Sequence, residues 1–203
     1  PEEVVSVLSR FGEIVSERVE DTLLSGTSRH ISVVVDSAAD LPREWAERHG
    51  VSVVPLQVTI GDTTYRDGVD IDAGRLYELV HEAESDAPVT TSQPSPAAFT
   101  EAYSRGIEQG AEGILGIYIS SEISGTYGTG AAALRSIPQI DGVTVDSQSG
   151  SFGSGLLAVR AVELLDEGWE LHEVARELER VRDQSSIFIS VATLEYLLRS
   201  GRV

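Results

Sequence analysis

The 203-residue sequence contains no cysteine, no lysine, no methionine and no asparagine. Without cysteine there are no disulfides, no thiolate nucleophile and no sulfur-bound metal. Without lysine, Schiff-base chemistry and a phosphate-loop lysine are both excluded; all 15 basic side chains are arginine. Basic charge is scarce altogether, since 33 acidic residues leave a formal net charge of −18. Such a surface repels a phosphate backbone, so no nucleic-acid partner is expected, and the same field works against a polybasic membrane anchor. No apolar run reaches the ~18 residues that a spanning helix needs, so no stable membrane insertion is expected either. The first ten residues, PEEVVSVLSR, lack the basic-then-apolar order of a signal peptide, and a cytoplasmic location is expected. A chain that starts at Pro1 and has no methionine reads as a piece of a longer or processed protein. The four histidines, His30, His49, His81 and His172, have no ligand-like spacing and read as surface side chains rather than a metal site.

What is present is an alternation of two periodicities. Val4, Leu8, Phe11, Val15, Val19 and Leu23 recur at helical spacing, and Ser25-Gly26-Thr27-Ser28 then breaks the pattern. Residues 1–28 therefore read as a helix and linker outside the domain that follows, with a boundary near residue 29. Ile31–Val35 is a continuous β-branched run, as in a strand buried on both faces. Leu41–His49 reads as a helix stopped by Gly50, and Val51–Ile60 as a strand with a bend at Pro55. Gly61-Asp62 is a hairpin turn. Asp72–Ala83 is helical, and a helix opens at Ser95-Pro96, an N-cap followed by a proline at the first helical position, and runs to about Gln109. Strands follow at Gly113–Ile119, Val143–Val145 and Ile187–Val191. Helices are expected at Thr126–Ser136, at about 154–166 and 170–184, and at Leu194–Arg199. Alternation with crossover-length connections predicts an α/β fold with a mostly parallel sheet flanked by helices.

Ligands of such folds bind outside the carboxyl ends of the strands, near helix N-termini. Four segments in that position are rich in hydroxyls: Asp36-Ser37, the stretch Thr90–Ser95, Ser120–Thr126, and Asp146–Ser151. Hydroxyls and unpaired helix N–H groups together suit an anion. Taken singly, each segment is also ordinary capping and turn composition. No phosphate loop or dinucleotide fingerprint is present, and no histidine falls in these loops to complete a serine triad. Asp36, Asp67 and Asp146 are acid/base or metal-ligand candidates, though aspartates at strand ends more often cap or orient loops.

Read in order, the motifs have a family likeness. Val35-Asp36-Ser37-Ala38-Ala39-Asp40-Leu41 is followed by Val54-Pro55-Leu56, Tyr65-Arg66-Asp67-Gly68 and Thr91-Ser92-Gln93-Pro94-Ser95-Pro96. Then come Ile119-Ser120-Ser121-Glu122-Ile123-Ser124-Gly125-Thr126-Tyr127, Val145-Asp146-Ser147, Leu194-Glu195-Tyr196-Leu197 and Gly201-Arg202. From about residue 30 to the end the chain resembles the DegV family of bacterial fatty-acid-binding proteins. The resemblance implies a two-domain α/β protein with a long-chain fatty acid buried between the domains. It implies a carrier rather than an enzyme, with the fatty acid as ligand, no cofactor, and a fatty acid kinase as partner, supplied as a separate protein or a fused upstream domain. The carboxylate is expected on Thr91 and Ser124, with Ser92, Gly125 and Thr126 as neighbours. The resemblance also implies a second domain continuing past Gly201-Arg202 and contributing a histidine, so the second domain is expected to be truncated here. Two other functions stay open: a metal-dependent hydrolase or phosphotransferase using Asp36, Asp67 or Asp146, and a sensor for another small ligand.

Overall fold

The computed structural model describes residues 29–82, 89–188 and Ser190. The helix expected at 4–23, its linker and the helix at Leu194–Arg199 lie outside those residues. The core is a four-stranded parallel sheet with β1 (Ile31–Asp36), β2 (Ser52–Val54), β6 (Gly113–Tyr118) and β7 (Asp141–Asp146) in the order β2-β1-β6-β7. Every pairing in it is parallel. The two central strands are the most apolar: all six residues of β6 are buried, and five of the six in β1. Both faces of these strands are covered, which is why their sequences run apolar rather than alternating.

Six helices are described: α1 (Arg43–Arg48), α2 (Ala73–Glu82), α3 (Pro96–Glu108), α4 (Thr126–Arg135), α5 (Phe152–Asp166) and α6 (Leu171–Asp183). On one face of the sheet, Val34, Val54, Ile114 and Tyr118 pack with Phe99, Ala102 and Tyr103 of α3 and Ala133 and Leu134 of α4. On the other, Val33, Val35, Leu115, Ile117 and Val145 pack with Leu157, Ala158 and Ala161 of α5 and Leu171, Val174 and Leu178 of α6. Adjacent residues of a strand point to opposite faces, so Val33/Val35 and Val34 divide between the two layers as the pleat requires. The expected α/β class and parallel sheet are both present.

Two of the expected strands differ in the structure, and one strand, Val89–Ser92, was not expected. Val51–Ile60 is not one strand. Pro55-Leu56 divides it into β2, at the edge of the parallel sheet, and β3 (Gln57–Ile60), which leads a second sheet. Proline cannot donate to a ladder, so the chain leaves the first sheet there. The second sheet is antiparallel, with β4 (Thr63–Arg66) and β5 (Val89–Ser92) on either side of β3. Gly61 sits at φ 57° in the hairpin turn between β3 and β4, a conformation glycine adopts without penalty. The second difference concerns Ile187–Val191, where Ile187 and Phe188 are outside any strand and Phe188 is 94% exposed.

Candidate functional site

From β1 the chain moves outward to β2 on one side, and it later returns to β6 on the other. The strand order therefore reverses between β1 and β6. In open α/β sheets the crevice at the carboxyl end of such a reversal is where ligands bind. Here that end carries Asp36, the last residue of β1, and the segment 119–125 that follows β6 and runs into α4.

Asp36 is 1% exposed. Its carboxylate accepts the N–H of Ala38 at 2.9 Å and the N–H of Ile119 at 2.8 Å, so it ties the exit of β1 to the exit of β6. Loss of hydration on burial pushes its pKa up to about 6; the two backbone donors oppose the shift, and the nearby negative charge of Asp40 adds to it. On the other side, Asp146 at the end of β7 accepts the backbone N–H of Ser121 at 3.1 Å and the Ser121 hydroxyl. It also accepts the N–H of Gln148 at 3.1 Å. The Asp146–Ser151 loop is bound to the β6–α4 loop through Ser120 N–H, which donates to the Ser149 carbonyl at 2.9 Å. The Ser151 hydroxyl then reaches back to Asp40 after β1. Asp36 and Asp146 thus orient the β6–α4 loop. Asp67, in the turn after β4, shares a cleft with Asp36 but not with Asp146. Among the described residues no group of three histidine or acidic side chains could hold a metal ion.

Inside the β6–α4 loop, Ser124 Oγ accepts the N–H of Thr126 at 3.3 Å and lies 2.8 Å from Thr126 Oγ1. Ser124 is half-buried, Gly125 is exposed, and Thr126 is 0% exposed. Thr126 therefore faces the interior and orients Ser124 at the N-terminus of α4. Thr91 and Ser92 close β5, and alternation sends them to opposite faces. Thr91 is paired with Val58, the buried residue of β3, and Ser92 with Gln57. The Ser92 hydroxyl donates to Gln57 Oε1 at 3.3 Å.

The two hydroxyl-bearing loops meet through a residue that sequence reasoning passed over. Gln93 follows β5, and its Nε2 donates to Thr129 Oγ1 of α4 at 2.7 Å. On the way its Oε1 crosses Gly125 so closely that a Cβ there would sit 1.9 Å from it. The signal in the sequence was glycine at the N-cap of α4, a position usually held by a hydroxyl or amide side chain. Glycine there leaves room for another group. Ser95, expected as the N-cap of α3, does cap it: its Oγ accepts the N–H of Ala98 at 3.2 Å.

The chain as a whole has relatives. Residues 30–203 match a family model described as an uncharacterised protein, DegV family. The chain belongs to the DegV family. It is 36% identical over 176 residues to a DegV domain-containing protein of Streptomyces coelicolor, covering 87% of this chain and 61% of that one. Among solved structures it is similar to a DegV family protein from Thermus thermophilus described for its fatty acid binding. That match has 40% identity and a TM-score of 0.75, covering 85% of this chain and 60% of that one. It is also similar to DegV of Bacillus subtilis, described as a fatty acid binding protein, at 31% identity and a TM-score of 0.77, over 86% and 61% of the two chains. This DegV chain spans about three fifths of the length of these relatives. Among its described residues no helix is long and apolar enough to cross a membrane.

Proposed function

We propose that this protein is a lipid carrier. It holds a long-chain fatty acid with the carboxylate against Thr91, Ser124 and the Gly125 backbone, with Ser92 and Thr126 in support. The carrier presents that carboxylate to a fatty acid kinase for phosphorylation. The observation that carries the reading is the junction of the β5–α3 and β6–α4 segments through Gln93, at the carboxyl end of the sheet where its strand order reverses. Hydroxyls and a helix N-terminus supply donors to an anion without adding positive charge. A carboxylate leaving water needs such donors, since desolvation otherwise drives it to the neutral form. Solved relatives at 40% and 31% identity are described as binding fatty acids, which supports a fatty acid as the anion's source.

Native mass spectrometry of gently purified protein is the first test, with retained fatty acid as the expected result. Thr91→Val or Ser124→Ala should then weaken binding by roughly ten- to a hundred-fold, the value of a hydrogen bond to a charged group. Phosphorylation of the bound acid should fall at least as far, because the same contacts position the reacting oxygen. Ser149→Ala in the Asp146–Ser151 loop is the control and should change little. Wild-type binding in the Thr91→Val, Ser124→Ala double variant would sink the assignment.

A further inference from the structure

Gln93 is an exposed amide on a segment with no regular structure, yet it makes a hydrogen bond across two loops. We propose that Gln93 is the positioning residue of the carboxylate site, clasping the β5–α3 segment to α4 across Gly125; this rests on the carboxylate reading above. Three features of the geometry support it. The Nε2–Oγ1 contact to Thr129 is 2.7 Å and joins residues 36 apart in sequence. Thr129 lies one turn into α4, and its backbone N–H donates to the Gly125 carbonyl at 3.0 Å, so the clasp grips the first turn itself. Gly125 has ordinary helical backbone angles, φ −72° and ψ 0°, so its lack of a side chain is not required by the backbone. What a Cβ would meet is Gln93, whose Oε1 occupies that space, so a side chain at 125 and the present position of the amide exclude one another.

The clasp has a thermodynamic signature that a merely space-filling residue lacks. Gln93→Ala removes the donor, Thr129→Val removes the acceptor, and Gly125→Ala displaces the amide without removing any polar group. All three break one connection, so any two combined should be no worse than one alone. Thr129→Ser keeps the hydroxyl and should behave as wild type.

The test measures binding of palmitic acid and of its methyl ester to the intact protein. Each of the three disrupting variants should weaken palmitic acid by roughly three- to ten-fold, the range for one neutral hydrogen bond. The ester, which lacks the charged head group, should bind each variant as it binds wild type. Additive losses in the double variants, equal losses for acid and ester, or no loss at all would each overturn the clasp. Should wild type itself bind acid and ester equally, the carboxylate reading fails on its own. The clasp is then decided by amide hydrogen exchange without ligand: faster exchange at residues 125–129 in Gln93→Ala keeps it, and unchanged exchange ends it.

Discussion

Asp36 shows how one carboxylate can be structurally necessary and energetically costly together. It is buried, and it holds the exits of the two central strands through Ala38 and Ile119. Its pKa stands at about 6 in the fold against an ordinary value of 3.8. The folded state therefore holds this proton more tightly than the unfolded chain does. The contribution of the group to stability is complete below about pH 3.8 and declines as pH rises through 6. The shift is worth roughly 2–3 kcal/mol. Asp36→Asn carries no charge at any pH, but its amide presents an N–H₂ where a second acceptor is needed, so it should destabilise throughout. The penalty should be largest near pH 4 and shrink by roughly 2–3 kcal/mol by pH 7. Urea unfolding of both proteins at pH 4, 5, 6 and 7 reads this difference. A penalty that grows with pH would show that the buried carboxylate is favoured ionised.

Where β6, α3 and α4 meet, the hydrogen-bond direction is forced. The Tyr103 hydroxyl donates to the Gly130 carbonyl at 2.9 Å, so it must accept from Tyr118, whose oxygen lies 2.6 Å away. Both tyrosines are 0% exposed, and burial pushes their pKa values up, that of Tyr103 to about 12, so both stay protonated donors. Gly130 lets α4 approach; a Cβ there would lie 2.6 Å from the Tyr118 ring. Tyr103→Phe strips a partner from two buried groups at once and should cost about 2–3 kcal/mol. Tyr118→Phe leaves the Gly130 bond in place and should cost about 1 kcal/mol. The double variant should be no less stable than Tyr103→Phe alone, since no donor is left stranded. Denaturation midpoints of the three variants check that order, and a larger loss in Tyr118→Phe than in Tyr103→Phe would reverse the assigned direction.

At the same scale, legibility in the sequence follows from how local the cause is. β1, β6 and the start of α3 were readable because an apolar β-branched run and a Ser-Pro cap act within a few residues. β5 was not. Its four residues Val89-Thr90-Thr91-Ser92 are all exposed, so no burial pattern marks them, and only pairing with β3 makes them a strand. β3 was hidden for a related reason: Val51–Ile60 shows one apolar trend, and which sheet each half joins is decided by tertiary pairing on either side of Pro55. The hydroxyls at helix N-termini were visible as composition. Gln93 was not, because an amide in a loop has no local pattern and its partners lie 32 and 36 residues away, at Gly125 and Thr129.

At the scale of the whole chain, the family match and the first described strand start together. The match starts at residue 30, and β1 starts at Ile31, paired with Gly113 of β6. Its first turn outward is held by Glu112 N–H, which donates to the His30 carbonyl at 2.7 Å. Just before it, Arg29 pairs with Glu112 and Asp141 at 3.7 and 3.8 Å, and all three side chains are well exposed. Exposed pairs of this kind contribute at most about 1 kcal/mol. The described layers on both faces of the sheet are built from residues 31–181. We propose, from the family match starting at residue 30, that residues 1–28 are a separate segment, and expect their removal to leave the domain intact. A chain starting at Arg29 should unfold within about 2 °C of the parent, because a change under 0.5 kcal/mol shifts the midpoint of a domain this size by no more than that. It should bind palmitic acid with unchanged affinity, since no group assigned to the carboxylate lies upstream of Thr91. A drop of several degrees, or affinity lost with the midpoint unchanged, would show that the N-terminal segment belongs to the core or to the site.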